Sequence, residues 1–330
     1  MNKHRIVDLL WGGLVLASAY FFSREMGGKT TTLLSGYLLS MAVVSPVFLA
    51  LWWLDRLPPL SARVWLRSLG FGLFVVPVVA SMSHLVVEYL VGEQVNDSVL
   101  FEPGSGATFG DLAGSLLSAP LVEESLKGLL PFTYLCLSVS SRGLEPRHAG
   151  PWPAILIGLV VTLGFGSAEN TTHFVGDAAA WQTRISYSYL HAFFSIPVLL
   201  AIGFSALLPT LTGRLALSGF GWFVSIIFHA AWNFEVRFDH PAWSPFPWVR
   251  HSSLVAPLAV FLCIFLVYWF ERRTFNRIGV GPASLGQPPR RALPQLLAET
   301  RREFLSSPLI ESPVGNPTLA PSQARPRSIA

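Results

Sequence analysis

The chain has 330 residues, 52% of them hydrophobic and only 13% charged, with a formal net charge of +4. Soluble domains carry about a quarter charged residues, so this composition excludes an ordinary soluble enzyme or binding module and points to a protein that crosses a bilayer several times. The two cysteines, Cys136 and Cys263, lie in apolar stretches and imply neither a disulfide framework nor a cysteine metal site, and the arginines sit in loops and tail without interleaved aromatics, which argues against nucleic acid as a partner.

A helix needs roughly 20 predominantly apolar residues to cross the hydrocarbon. Eight stretches meet that need, at 6–22, 32–54, 69–91, 111–137, 153–176, 184–208, 215–236 and 252–270. The first follows Lys3 and Arg5 and lacks a small-residue cleavage site before Ser23, so it reads as a retained anchor and not a signal peptide. The loop after the second holds Arg56, Arg63 and Arg67. Arg142 and Arg147 follow the fourth, Arg214 the sixth, and Arg272, Arg273 and Arg277 the eighth. The loop 92–110 carries Glu93, Asp97 and Glu102 with no lysine or arginine. This asymmetry predicts a multi-pass protein of the cell membrane with both termini cytoplasmic, against which Arg24 and Lys29 fall on the wrong side. Beyond Gly279 the chain holds nine of its 25 prolines, too few apolar groups to fold alone, and one short amphipathic stretch at Leu293 to Leu305. The expected fold class is all-α, a polytopic transmembrane helix bundle of about eight spans with a disordered C-terminal tail. N-terminal transmembrane helices occupy 1–68, a core 69–275, and the cytoplasmic tail 276–330.

The fourth stretch contains Glu123, Glu124 and Lys127, and Lys127 is the last lysine in the chain. A charge at the centre of a bilayer costs about 2.5–3.5 kcal/mol on insertion scales, so three together mark a functional site or a buried ion pair that joins helices. On a helix Lys127 is i+4 from Glu123 and i+3 from Glu124 and reaches both. Pro120 loosens the backbone one turn earlier. The fifth stretch ends in Gly164-Phe165-Gly166-Ser167-Ala168-Glu169-Asn170, with His173 one turn on; its small residues allow close helix approach. The sixth carries Arg184 and, two turns later, His191. Ser195 follows His191 by one turn, but no carboxylate nearby in sequence completes a triad. The seventh carries His229 and Asn233, i and i+4 on one face, able to donate two hydrogen bonds to one oxygen. At 1.5 Å per residue Glu123 lies roughly 18 Å, and His191 and His229 about 10 Å, from the outer surface. All the clusters thus share the outer half of the bilayer, which favours one cavity over independent packing contacts.

These motifs, in this order, resemble the PrsW family of intramembrane proteases within the CAAX-protease and bacteriocin-processing superfamily. The resemblance rests on Glu123-Glu124-x-x-Lys127, the run Gly164 to Asn170, Arg184 with His191-Ala192, and His229-x-x-Trp232-Asn233, and covers roughly residues 70–270. It implies hydrolysis of a peptide bond inside the membrane, on a single-span membrane protein such as an anti-sigma factor, in regulated proteolysis. By that analogy Glu123 and His191 activate water, with Glu123 as general base. His229 and Asn233 form the oxyanion hole, Glu124 orients a partner or shares the base role, and Lys127 holds the glutamates charged. Glu169 and Asn170 support from behind.

Two glutamates and two histidines also suit zinc. The ammonium of Lys127 beside the carboxylates weighs against a dication, so a glutamate protease with no cofactor is favoured and a zinc-dependent enzyme with the same residues as ligands is the alternative. A transporter or binding protein would use similar groups, but a relay needs a polar path to both faces, and the cytoplasmic halves of the spans are nearly all apolar.

Overall fold

A helix that is hydrophobic all round belongs in the middle of its protein, and the stretch from Pro151 is of that kind. In a computed structural model every residue from Pro151 to Ala168 is buried. The structure describes residues 30–55, 60–91, 120–140, 151–176, 185–208, 210–238 and 252–277, with scattered positions between 12 and 20. Its helices are α1 (Thr30–Leu54), α2 (Ala62–Gly70), α3 (Val76–Val91), α4 (Val122–Ser140), α5 (Pro151–Gly176), α6 (Leu190–Ser205), α7 (Leu211–Phe238) and α8 (Ser252–Arg277). A π-helical segment, Phe71–Val75, joins α2 to α3, and a 3-10 turn, Ile185–Tyr189, leads into α6. Among the described residues all regular structure is helical, as expected. α5 is the centre, touched by α1, α2, α3, α4, α6 and α8, while α7 packs on α6 and α4.

Five helical stretches are long and apolar enough to cross a membrane: Leu34–Leu54, Ala62–Ser83, Pro151–Thr172, Tyr187–Ser205 and Leu211–Asn233. α8 adds a shorter apolar run, Val255–Phe270. α4 falls outside this set because it carries Glu123, Glu124 and Lys127. The outward faces are apolar too: Leu258, Phe265 and Trp269 on α8, Phe220 and Phe223 on α7, and Leu38, Leu49 and Trp52 on α1 are all exposed. So much exposed apolar surface fits contact with lipid. The first predicted span, apart from those scattered positions, the loop 92–110 and the tail beyond 277, with its amphipathic stretch, lie outside the described residues.

One boundary differs from expectation. The third span starts at Ala62, so Arg63 and Arg67 stand on α2 and not in the preceding loop. Ser61 caps this helix by accepting from Val64 N–H. Asp55, just past α1, closes the turn by accepting from Leu60 N–H at 2.9 Å and Trp65 Nε1–H at 2.7 Å. Burial raises the Asp55 carboxyl above its ordinary range, and those two hydrogen bonds pull it partly back.

Glycines set how closely several helices approach. Gly72, in the π segment, lies against the backbone of Val161 on α5, where any Cβ would overlap the carbonyl oxygen; Gly164 lies reciprocally against Leu69 O and Leu73 N. Gly72→Ala is therefore expected to destabilise the fold by about 1–3 kcal/mol, read as a lower melting temperature in detergent. Gly219→Ala, where the added methyl meets open space, serves as the neutral control. Gly221 on α7 faces Ala201 and Pro197 O on α6 with no room for a side chain. Pro197 breaks the α6 ladder, and the next amide, Val198 N–H, donates across to Ser225 Oγ at 3.1 Å.

Candidate active site

Four helices bring their polar residues to one end of the bundle. α4 and α6 begin there, and α5 and α7 reach it with their C-terminal halves. Glu123 and Glu124 occupy the first turn of α4, just after a π-type turn at Pro120 and Leu121. His191 lies in the first turn of α6.

Lys127 is the hub. Its Nζ lies 2.8 Å from Glu124 Oε1, 3.1 Å from Glu123 Oε2 and 3.2 Å from His191 Nδ1. The side chain is fully buried, and its ammonium sits 4.4 Å from the centre of the Phe165 ring. Both glutamates thus meet their i+3 and i+4 partner as the spacing requires. Glu124 is fully buried and held at both oxygens: His229 Nδ1 lies 2.9 Å from Oε1, and Ser195 Oγ–H donates to Oε2 at 2.6 Å. Glu123 keeps a slight opening, and its Oε2 faces both imidazoles, 3.8 Å from His191 Nδ1 and 3.9 Å from His229 Nε2.

The network assigns the histidine protons. An ammonium only donates, so His191 Nδ1 turns its lone pair to Lys127 and its Nε2–H points at Glu169 Oε2, in direct contact. A carboxylate only accepts, so His229 Nδ1–H donates to Glu124 and its Nε2 lone pair faces Glu123. The two rings stand edge to face 5.5 Å apart, His191 edge-on to Phe165 and His229 stacked on Phe194.

Of the residues singled out from the sequence, Glu123, Glu124, Lys127, Glu169, His191 and His229 form one cluster. Asn170 does not touch it; its Nδ2 donates to Ser188 Oγ at 2.6 Å, tying α5 to the turn before α6. Asn233, half-buried one turn after His229, makes no hydrogen bond to the described residues. The side chain of His173 and all of Arg184 lie outside the described residues. Ser195 was missed as a partner of the cluster. The carboxylate absent near it in sequence arrives from α4, and among the described residues its hydroxyl bonds Glu124 and no histidine. Trp222, also missed, ties α7 to α4 through its Nε1–H to Ser125 Oγ at 3.0 Å.

The donor set fits a metal. Glu123, His191 and His229 each offer a ligand atom, all within 4.8 Å of one another. Two imidazoles and a carboxylate are a three-ligand set that leaves a fourth zinc position open. Each imidazole is backed at its other nitrogen by a carboxylate, as metal-binding histidines usually are. The expectation of a site without a cofactor is therefore not supported. It weighed the Lys127 charge, which a sequence displays, and could not weigh the direction of the lone pairs.

A sequence model described as PrsW family intramembrane metalloprotease matches residues 61–268, a span that holds every residue of the cluster. No curated protein and no solved structure matches the chain.

Proposed function

Because the chain belongs to the PrsW family of intramembrane metalloproteases, we propose that it hydrolyses a peptide bond of a single-span membrane protein at the cluster around Glu123, His191 and His229. The observation that carries this reading is that Glu123 and one nitrogen of each imidazole lie within 4.8 Å of one another, with the far side of each ring held by a second carboxylate. Glu123, His191 and His229 would hold a zinc ion, which when bound supplies Lewis-acid polarisation and an acidified water. Glu124 fixes the tautomer of His229, and Lys127 and Ser195 hold Glu124 in place. Glu169, whose side chain is 32% exposed, orients His191 and is the carboxylate placed to pass a proton to bulk water. In this arrangement His229 offers a lone pair, not a hydrogen, so the oxyanion donor assigned here is the uncommitted amide of Asn233.

The substrate in this reading is of the anti-sigma-factor kind, cut near the outer surface of the cell membrane, in a chain whose two termini are cytoplasmic. A helix must unwind to expose its peptide bond, so helix-breaking residues are expected near the cut. A proton-relay or transport role gains no support. The charged side chains buried among the described residues are Asp55 and those of the cluster, and the core that holds Leu51, Ile155, Leu156, Leu159 and Leu163 offers between helices only hydroxyls such as that of Thr162.

A second reading, metal-independent glutamate catalysis with Glu123 as base, is favoured by one observation: the Lys127 ammonium already lies against Glu123 and His191. The two separate on cleavage of a panel of tagged single-span membrane proteins by the purified protein in detergent. Loss of cleavage with a strong zinc chelator and its return with zinc supports the metalloprotease; undiminished cleavage in chelator supports the glutamate enzyme.

A further inference from the structure

The position of Lys127 bears on both readings at once. Its Nζ is in hydrogen-bond range of Glu123 Oε2 and His191 Nδ1, two of the three atoms that would ligate a metal. The single lone pair of His191 Nδ1 cannot serve an ammonium and a dication at once, and a dication on Glu123 Oε2 would stand against the ammonium charge. Nor can the site lack both cations, since Glu123 and Glu124 are both buried and like charges in a dry interior repel strongly. A third contact, to Glu124 Oε1 at 2.8 Å, is the shortest and involves no proposed ligand. Lys127 thus has somewhere to remain when the other two contacts are lost.

We infer that Lys127 is a resident cation that holds Glu123 and His191 in place and yields them to an incoming metal, falling back on Glu124. No bond is made or broken in the chain; the ammonium keeps its proton and exchanges two hydrogen bonds for none, while the metal takes the freed lone pairs. Two consequences follow. The lysine lowers metal affinity by competing for the ligands, and it keeps the metal-free fold stable. This rests on the metal-binding reading above.

The test is Co²⁺ binding to the full-length protein in detergent, followed by visible absorption and by competition with Zn²⁺, on wild type, Lys127→Met and Glu123→Gln. Thermal unfolding with and without chelator is measured in parallel. The expected result is Co²⁺ binding about tenfold tighter in Lys127→Met than in wild type, within the usual range of site couplings, and little binding in Glu123→Gln. Chelator should lower the melting temperature of Lys127→Met by several degrees more than that of wild type. Equal or weaker binding in Lys127→Met, with binding still lost in Glu123→Gln, overturns the inference and leaves the metal site standing. Absence of binding in all three removes the metal reading and this inference with it. Should Lys127→Met fail to fold without metal, recovery on growth with added zinc supports the exchange, and failure despite zinc overturns it. A wild-type melting temperature that drops on chelation by as much as that of Lys127→Met also overturns it.

Discussion

Replacing Glu123 by glutamine is expected to slow cleavage of a single-span substrate by about 10²–10⁴-fold, with the protein still folded. Its Oε2 is the one carboxylate oxygen that faces both imidazoles, so the loss holds whether Glu123 binds a metal or takes a proton from water. Glutamine keeps the volume and an acceptor for Lys127 but removes the negative charge. Lys127 retains Glu124 at 2.8 Å, so the buried ammonium is not left alone. The measurement is kcat in detergent beside a melting curve; a fully active variant would remove Glu123 from the chemistry.

The largest stability effect is expected at the neighbouring position. Glu124→Ala should destabilise the protein by about 3–5 kcal/mol, the usual result of removing one partner of a buried ionic network. His229 Nδ1–H and Ser195 Oγ–H lose their acceptor, and the Lys127 ammonium loses the shortest of its three contacts. None is reached by water, for Lys127 and Ser195 are fully buried and His229 nearly so. Glu124→Gln retains an acceptor for some of these donors and should cost less. Denaturant unfolding followed by circular dichroism gives both values, and a loss below about 1 kcal/mol for alanine would mean that the network reorganises at little cost.

Local spacing made part of this site readable in advance. Glu123, Glu124 and Lys127 meet because i+3 and i+4 residues share a helix face, and the 3.1 and 2.8 Å contacts follow from that alone. Long apolar runs likewise revealed the buried α5 and its lipid-facing neighbours. Contacts between helices were not readable in the same way. Ser195 on α6 reaches Glu124 on α4 only because of how those helices cross, and Phe165 covers Lys127 from a third. The start of α2 was hidden by its own arginines, since a search for apolar runs treats Arg63 and Arg67 as loop. The π segment Phe71–Val75 carries no propensity signal, and its role became visible only in the close approach of Gly72 to Val161. Lone-pair directions, which favour a metal, depend on side-chain rotamers and lie beyond any motif.

Gly221 gives the site a form of remote adjustment. It lets α7 lie directly on Ala201 and Pro197 of α6, and His229 and His191 ride on those two helices. A methyl group there would spread the helices and widen the gap between the imidazoles without altering any reactive residue. The spacing of the two histidines is thus set about two turns away, at a position with no chemistry of its own. Related chains with identical reactive residues can then differ in that spacing, and an alignment restricted to those residues would show no reason for it.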